Sequence, residues 1–458
     1  MRPATPAALL VVVLLGGCAA VGDDYQRPAT ALPASYRGAE GETASIAERD
    51  WQQVFTDPPL RALIEESLRA GPDALLAAAR VREAEALAGI ARAQSLPNVG
   101  LSLNTTPIAR RGGETFSSSY LGGVTASWEI DLWGRYARAT EAARADLMAR
   151  QASRDAINAS LVASTAGLYY QLAGLREIEL VTRRAVESQR EVLRLVRRLS
   201  QAGVASAAEE RQQENAVANT EVRLPALKRQ IAAVENALAI LVGRTPGGFS
   251  HDAPVTLELP AAVPAGLPSA LLERRPDILQ AEAQMRAANA RVGEAKALFY
   301  PNISLTAVLG TVSPSLSEVL RLQGASVASL GANVLQPLYA GGSLRFNEEA
   351  NLARLEQALI SYRKSVLGAL GEVADGLSNY QTQGEAMLIQ RRRVTAAAES
   401  MRLAEMRFRA GTTGFLEVLN AQQQLLAAQT DEVQTLLDRR LALTQVYLAL
   451  GGGWQPPQ

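Results

Sequence analysis

With 458 residues and a formal net charge of zero, the chain is long enough for about two to four compact domains. Its 46 basic residues, nearly all arginine, form no basic face that would suit nucleic acid, and one cysteine and one histidine exclude an internal disulfide or a Cys/His metal cluster. Aromatic residues make up only 5%, while Ala, Leu, Gln, Glu and Arg dominate, the composition of long helices.

The first element is an address. Met1-Arg2 precedes an apolar run from Ala7 to Leu15, too short to span a membrane as a helix and of the form of a secretory signal. Leu15-Gly16-Gly17-Cys18 has the form of a bacterial lipobox, in which cleavage leaves Cys18 as a lipid-bearing N-terminus; an ordinary signal with an incidental cysteine is the alternative. A single lipid group holds a membrane only marginally, so lipid on Cys18 should anchor several chains together or supplement another insertion device. Residue 19 is Ala rather than Asp, which in lipoproteins resembling this one favours the outer membrane. Residues 1–17 are therefore read as a signal and 18–50 as an extended, lipid-anchored segment.

The next stretch returns later in the chain. Residues 71–98 align with 275–302 at a shift of 204, with 13 of 28 positions identical, including Pro72-Asp73 with Pro276-Asp277 and Pro97-Asn98 with Pro301-Asn302. Alanine-rich helices match by accident, but two Pro-containing dipeptides in matching places do not. The chain reads as two copies of one long unit, at 51–245 and 268–454. A Pro-rich linker at 246–267 joins them and carries His251, read as a solvated loop residue.

Between the helices lie segments of period two. In 120–131, Tyr120, Val124, Ala126, Trp128 and Ile130 alternate with Thr125, Ser127, Glu129 and Asp131. Val99, Leu101 and Leu103 alternate with Gly100, Ser102 and Asn104; Ile303, Leu305, Ala307 and Leu309 alternate until Val308 breaks the pattern, and 326–336 is a weaker fourth strand. Each approaches the ~9–11 residues that cross a bilayer as a tilted strand. A small soluble sheet with one wet face is the alternative. If the strands span, four cannot close a barrel and their edges cannot face lipid, so several chains must share one; three would give twelve strands.

Helical composition fills the rest. Gly134 to Ser200 contains no proline, and a second run extends from about Ala205 to Val242. In it Leu224, Leu227, Ile231, Val234, Leu238 and Leu241 form a coiled-coil seam that Pro225 should bend or interrupt. Gly203 marks the turn between the runs. The second copy matches, with helix from Gly342 to Ala410, a turn at Gly411 and Gly414, and helix to Leu450. About 65 residues at ~1.5 Å each give a rod of roughly 100 Å, so such hairpins must bury their seams on one another and on neighbouring chains.

These features in this order, with Val21-Gly22-Asp23-Asp24-Tyr25-Gln26-Arg27-Pro28 and Glu273-Arg-Arg-Pro-Asp-Ile278, resemble outer-membrane efflux ducts of the TolC type, the NodT- or OprM-like lipoprotein branch above all. The resemblance implies a mainly α fold with short β: duplicated helical hairpins and four membrane strands, trimerised into a 12-strand β-barrel continuous with a 12-helix α-barrel. It implies a homotrimeric, passive exit duct in the outer membrane. An inner-membrane pump of the resistance-nodulation-division class feeds such a duct through a periplasmic adaptor, without catalytic residues, metal or cofactor beyond the lipid on Cys18. The family's acidic constriction pattern falls on Glu417 and Asn420, where Glu417 keeps the charge and Asn420 loses it. Thr413 stands where some members carry a basic residue that locks the mouth. Adaptor docking falls on the tips, Gly203 and Ser206 in the first hairpin and Gly411 and Gly414 in the second, with Arg198 standing in for the family's basic lead-in. Arg391-Arg392-Arg393 reads as a solvated helix face. A periplasmic adaptor is the nearest alternative, although one hairpin would suffice for it; a type I secretion component, a coiled-coil scaffold and an enzyme are the others.

Overall fold

A computed structural model describes residues 20–36, 45–108, 117–247, 259, 263–266 and 268–452; Cys18, His251 and most of the 246–267 linker lie outside the described residues. The main elements are α1 (Pro58–Ala70), α2 (Pro72–Ala93), β1 (Asn98–Ile108), β2 (Ser117–Ile130), α3 (Arg135–Gln201), α4 (Ala207–Glu221), α5 (Arg223–Leu241), α6 (Pro276–Ala297), β3 (Asn302–Ser313), β4 (Ala325–Leu335), α7 (Ser343–Arg409) and α8 (Phe415–Ala449). The copies agree in length as well as sequence: α2 and α6 have 22 residues each, and α3 and α7 have 67 each. Both α2 and α6 begin with Pro followed by Asp. There the missing N–H costs nothing and a carboxylate meets the positive helix end. The strand expected at 99–104 runs on to Ile108, and the weak fourth strand is present one residue earlier, at 325–335.

The chain forms two compact units, one from Met1–Ala29, Arg80–Gln151 and Gln280–Lys364, the other from Thr30–Ala79, Ala152–Leu279 and Ser365–Gln458. Each draws on both sequence copies. In the second unit, α3 folds back through Gly203 onto α4 and α5, and α7 through Gly411 onto α8. Pro225 interrupts the helix as expected. It cannot donate to the residue 221 carbonyl and crowds it, so α4 ends at Glu221 and α5 starts at Arg223. The seam faces inward: Ile231, Val234 and Leu238 are buried against Leu172, flanked by Leu168 and Leu175. Gly376 lets α7 and α8 close up, since a Cβ there would lie 3.0 Å from Val446.

In the first unit, β1-β2-β3-β4 form one antiparallel sheet in sequence order. The register is continuous, so alternate residues stay on one face across all four strands. Leu101 faces Val124, Val124 faces Leu309, and Leu309 faces Ala328; this apolar set also holds Val99, Leu103, Ala126, Ala307 and Leu330. The opposite set, Ser102, Thr125, Ser127, Thr306, Gly331 and Asn333, is polar or small, and Val308 falls among it. Most of the apolar side is bare: Leu101, Leu309 and Leu330 are 85%, 67% and 84% exposed.

The same unit clamps the N-terminal segment. A Cβ on Gly22 would lie 2.7 Å from the Gly293 Cα, so two glycines let this segment lie directly on α6. Arg138, on α3, donates to the Val21 and Gly22 carbonyls and to Asp24 at 3.2, 2.8 and 2.9 Å. Glu282, its side chain 3% exposed, accepts from Tyr25 at 3.2 Å, from Arg27 Nε at 3.0 Å and from Arg286 at 2.6 Å. Burial alone would raise its pKa, but the hydrogen bonds from Arg27 and Arg286 hold it below the ordinary 4.5. Burial and the Glu282 charge push the Tyr25 hydroxyl up to about 12.

Since the folded pKa of Glu282 is depressed, its contribution is complete above the unfolded value and lost as pH falls through the folded one. Amides of residues 20–29 should therefore lose hydrogen-exchange protection on acidification, after correction for intrinsic rates. Glu282→Gln should lose about tenfold at neutral pH, allowing roughly 1–2 kcal/mol for a buried carboxylate with half-exposed partners. Protection in the variant equal to that of the parent chain at neutral pH would contradict the clamp.

Candidate functional site: the hairpin tips

Both hairpins turn by the same device. Gly203 and Gly411 adopt φ +75° and +71°, which glycine reaches without strain. Val204 N–H donates to the Leu199 carbonyl at 2.8 Å and Thr412 N–H to that of Arg407 at 2.9 Å; the glycine N–H groups reach Ser200 and Phe408 at 3.0 and 2.9 Å. These are paired Schellman closures. Beneath them an apolar cluster joins the hairpins: Val192 and Val196 of α3 pack with Met401, Ala404, Phe415, Val418 and Ala421, and Phe408 meets Phe415 edge to face at 5.8 Å.

The tips diverge at the start of the returning helix. In the first, Ser206 caps α4 and its hydroxyl accepts from Glu209 N–H at 3.3 Å, while the Glu209 carboxylate accepts from Ser206 N–H at 2.7 Å. This capping box holds Glu209 in place. In the second, the cap is Gly414, which has no side chain. Glu417, at the same helical position as Glu209, is released from capping. It reaches across the hairpin to Arg407 Nη1 at 2.8 Å and accepts from the Thr413 hydroxyl.

Of the expected site residues, the structure thus joins Glu417 to Thr413. Asn420 is exposed one turn along α8, and Arg198 is exposed near the first tip, donating to the Arg194 carbonyl at 3.3 Å. Cys18 lies outside the described residues. Arg391, Arg392 and Arg393 are all exposed, and Arg393 pairs with Asp431 at 2.5 Å. The sequence reading missed Arg407, whose signal was its place four residues before the tip glycine. It also missed Val204 and Leu416, apolar yet 74% and 60% exposed on the tips. Among the described residues no helix is long and apolar enough to cross a membrane, and no cluster of three His, Cys, Asp or Glu could hold a metal.

The outer membrane efflux protein family matches residues 63–244 and 267–452, the greater part of the chain. The chain belongs to this family. The toluene efflux pump outer membrane protein TtgC of Pseudomonas putida is 34% identical over 96% of this chain and 94% of its own. The pyoverdine export outer membrane protein OpmQ of Pseudomonas aeruginosa is 33% identical, covering 96% of both. Among solved structures the outer-membrane channel OprN superposes with a TM-score of 0.88 at 31% identity, over 95% of this chain and all of that one. This efflux protein is accordingly an outer-membrane efflux channel with its strands in the membrane and its helical shaft in the periplasm.

If the missing cap releases Glu417, Gly414→Ser should rebuild the box, since φ −76° and ψ 157° at Gly414 suit serine. Amide exchange at 416–418 should slow about fivefold, the equivalent of ~1 kcal/mol for a cap. Unchanged exchange there would mean that Glu417 is held away from the cap by something other than its absence.

Proposed function

We propose that three copies of this chain close one duct, and that the observation carrying this is the bare apolar face of a sheet with two unpaired edges. In hydrocarbon an open edge leaves each unpaired N–H and C=O several kcal/mol worse off. Pairing β4 of one copy with β1 of the next removes every edge, and three copies give twelve strands. The duct does no chemistry of its own: an inner-membrane pump of the resistance-nodulation-division class supplies the energy, and a periplasmic adaptor joins the two. The adaptor meets the tips at Gly203, Ser206, Gly411 and Gly414, with Arg198 and exposed Val204 and Leu416 alongside. A lipid on Cys18 adds a second anchor. The relatives are named for cargo as unlike as toluene and pyoverdine, which fits a duct that leaves cargo selection to its pump.

At the periplasmic mouth, Glu417 forms the constriction together with Asn420. Three carboxylates about a narrow axis would repel one another, and Arg407 answers each within its own hairpin. An exposed pair is worth about 0.2–1 kcal/mol. Three pairs, each lost on opening, would then bias the closed mouth by about 3-fold to about 150-fold.

Detergent extracts should contain a trimer whose barrel migrates faster on a gel before heating than after; a heat-insensitive monomer would end this reading. In planar bilayers Arg407→Ala and Glu417→Ala should each raise conductance, and the double variant should lie nearer the parent than either single one. Both single variants conducting like the parent chain would leave the mouth without this pair as its latch.

A further inference from the structure

The connection between β3 and β4 contains a short helix, Leu316–Leu320, and the register shows which face of the sheet it covers. Gly122 stands opposite Leu103 on one side and Thr311 on the other, within the alternating set that carries Leu101, Val124 and Leu309. A Cβ on Gly122 would lie 2.5 Å from Val319 Cγ1, and Val319 is buried. Thr311 and Ser313, on the same face, are also buried, and the Ser313 hydroxyl donates to the Glu318 carboxylate. Two contacts, one from β2 and one from β3, therefore seat the helix on the apolar side of the sheet. The polar side is left uncovered by it, and the edge strand β4 stays free to pair.

The outer surface of this connection is apolar as well. Leu316, Leu320 and Leu322 are 38%, 70% and 76% exposed. Leu322 has φ +55°, the only positive φ at a non-glycine position among the described residues, a conformation that a bulky side chain adopts only when its surroundings impose it. Three exposed leucines in seven residues suit a surface that excludes water. Arg321, exposed between two of them, is long enough to lay its stem on apolar chains and hold its charge at headgroup phosphates.

We propose that the β3–β4 connection is a lipid-binding element on the outside of the barrel. Its leucines enter the outer leaflet at the end of the strands remote from the Pro301-Asn302 junction, so it neither covers nor gates the mouth. Its occupant is bilayer lipid, by continuity with the exposed Leu309 and Leu330 on the same face; the inference rests on the outer-membrane placement of the sheet.

The test is spin-label accessibility in the full chain reconstituted into vesicles of outer-membrane lipid. Leu320→Cys and Leu322→Cys are compared with Leu330→Cys on the apolar face and Thr306→Cys on the polar face, with the signal of the parent chain subtracted for Cys18. The ratio of accessibility to oxygen over that to a nickel chelate should be severalfold higher at 320 and 322 than at 306, and close to that at 330. Labels at 320 and 322 that behave like 306 while 330 remains in lipid would overturn the proposal alone. An aqueous reading at 330 would overturn the membrane placement, and this inference with it.

Discussion

An unpaired backbone edge cannot remain in hydrocarbon, and this constraint reaches further into the molecule than any single contact. The chain makes two hairpins, aligns them in one sheet, and still ends with β1 and β4 open. Their apolar side chains, exposed up to 85%, would be an aggregation hazard in water and are at home in a bilayer. A sheet that is stable only when shared forces identical chains to be arranged about one axis. The helices that follow the two strand hairpins are 67 residues long in both copies of the unit.

Where the copies differ, a single residue type usually accounts for it. At equivalent places before α2 and α6 stand Gly71 and Arg275. The glycine has no room for a Cβ beside the Leu241 carbonyl, whereas Arg275 is buried and spends its N–H groups on Asp277, Glu372 and the Ala449 carbonyl, at 2.6 to 3.0 Å. Burying a guanidinium costs several kcal/mol unless its donors are placed, and here they are. At the tips the exchange of Ser206 for Gly414 converts a self-capped glutamate into one available to a neighbour. At these two helix ends unpaired backbone groups make one side chain decisive.

Period-two alternation and proline-free runs are strong local patterns, so Pro72, Pro97, Gly203, Gly411 and the Leu224–Leu241 seam placed the elements within a few residues. The apolar strand face was equally legible, because alternation alone assigns it once a register exists. The Arg407–Glu417 pair was not legible. Arg407 four residues before Gly411 and a glycine at the cap position 414 were both visible, but only the geometry of the Schellman turn brings the two side chains together. The Glu282 clamp joins residues more than 250 positions apart, and the seat of the β3–β4 helix depends on a register that sequence cannot fix. The elements were thus readable, while the side-chain contacts, whether ten residues apart or more than 250, were hidden.

Two carboxylates mark the extremes of how firmly the chain holds a segment. Glu282 is almost fully buried and meets three donors, so releasing it exposes several unmatched groups at once. Glu417 has a side chain 44% exposed and opposes one arginine that is 56% exposed, so water can replace either partner at small cost. A gate built from the first kind of contact would demand a larger differential affinity from any partner that opened it, because shifting a two-state equilibrium requires differential binding at least as large as the bias. On the proposed reading of Glu417, weak pairs above an apolar cluster would let the tip remain ordered while its closure stays of a size that docking of a partner can reverse. The buried clamp thus holds the N-terminal segment, and the exposed pair stands at the hairpin tip proposed to open.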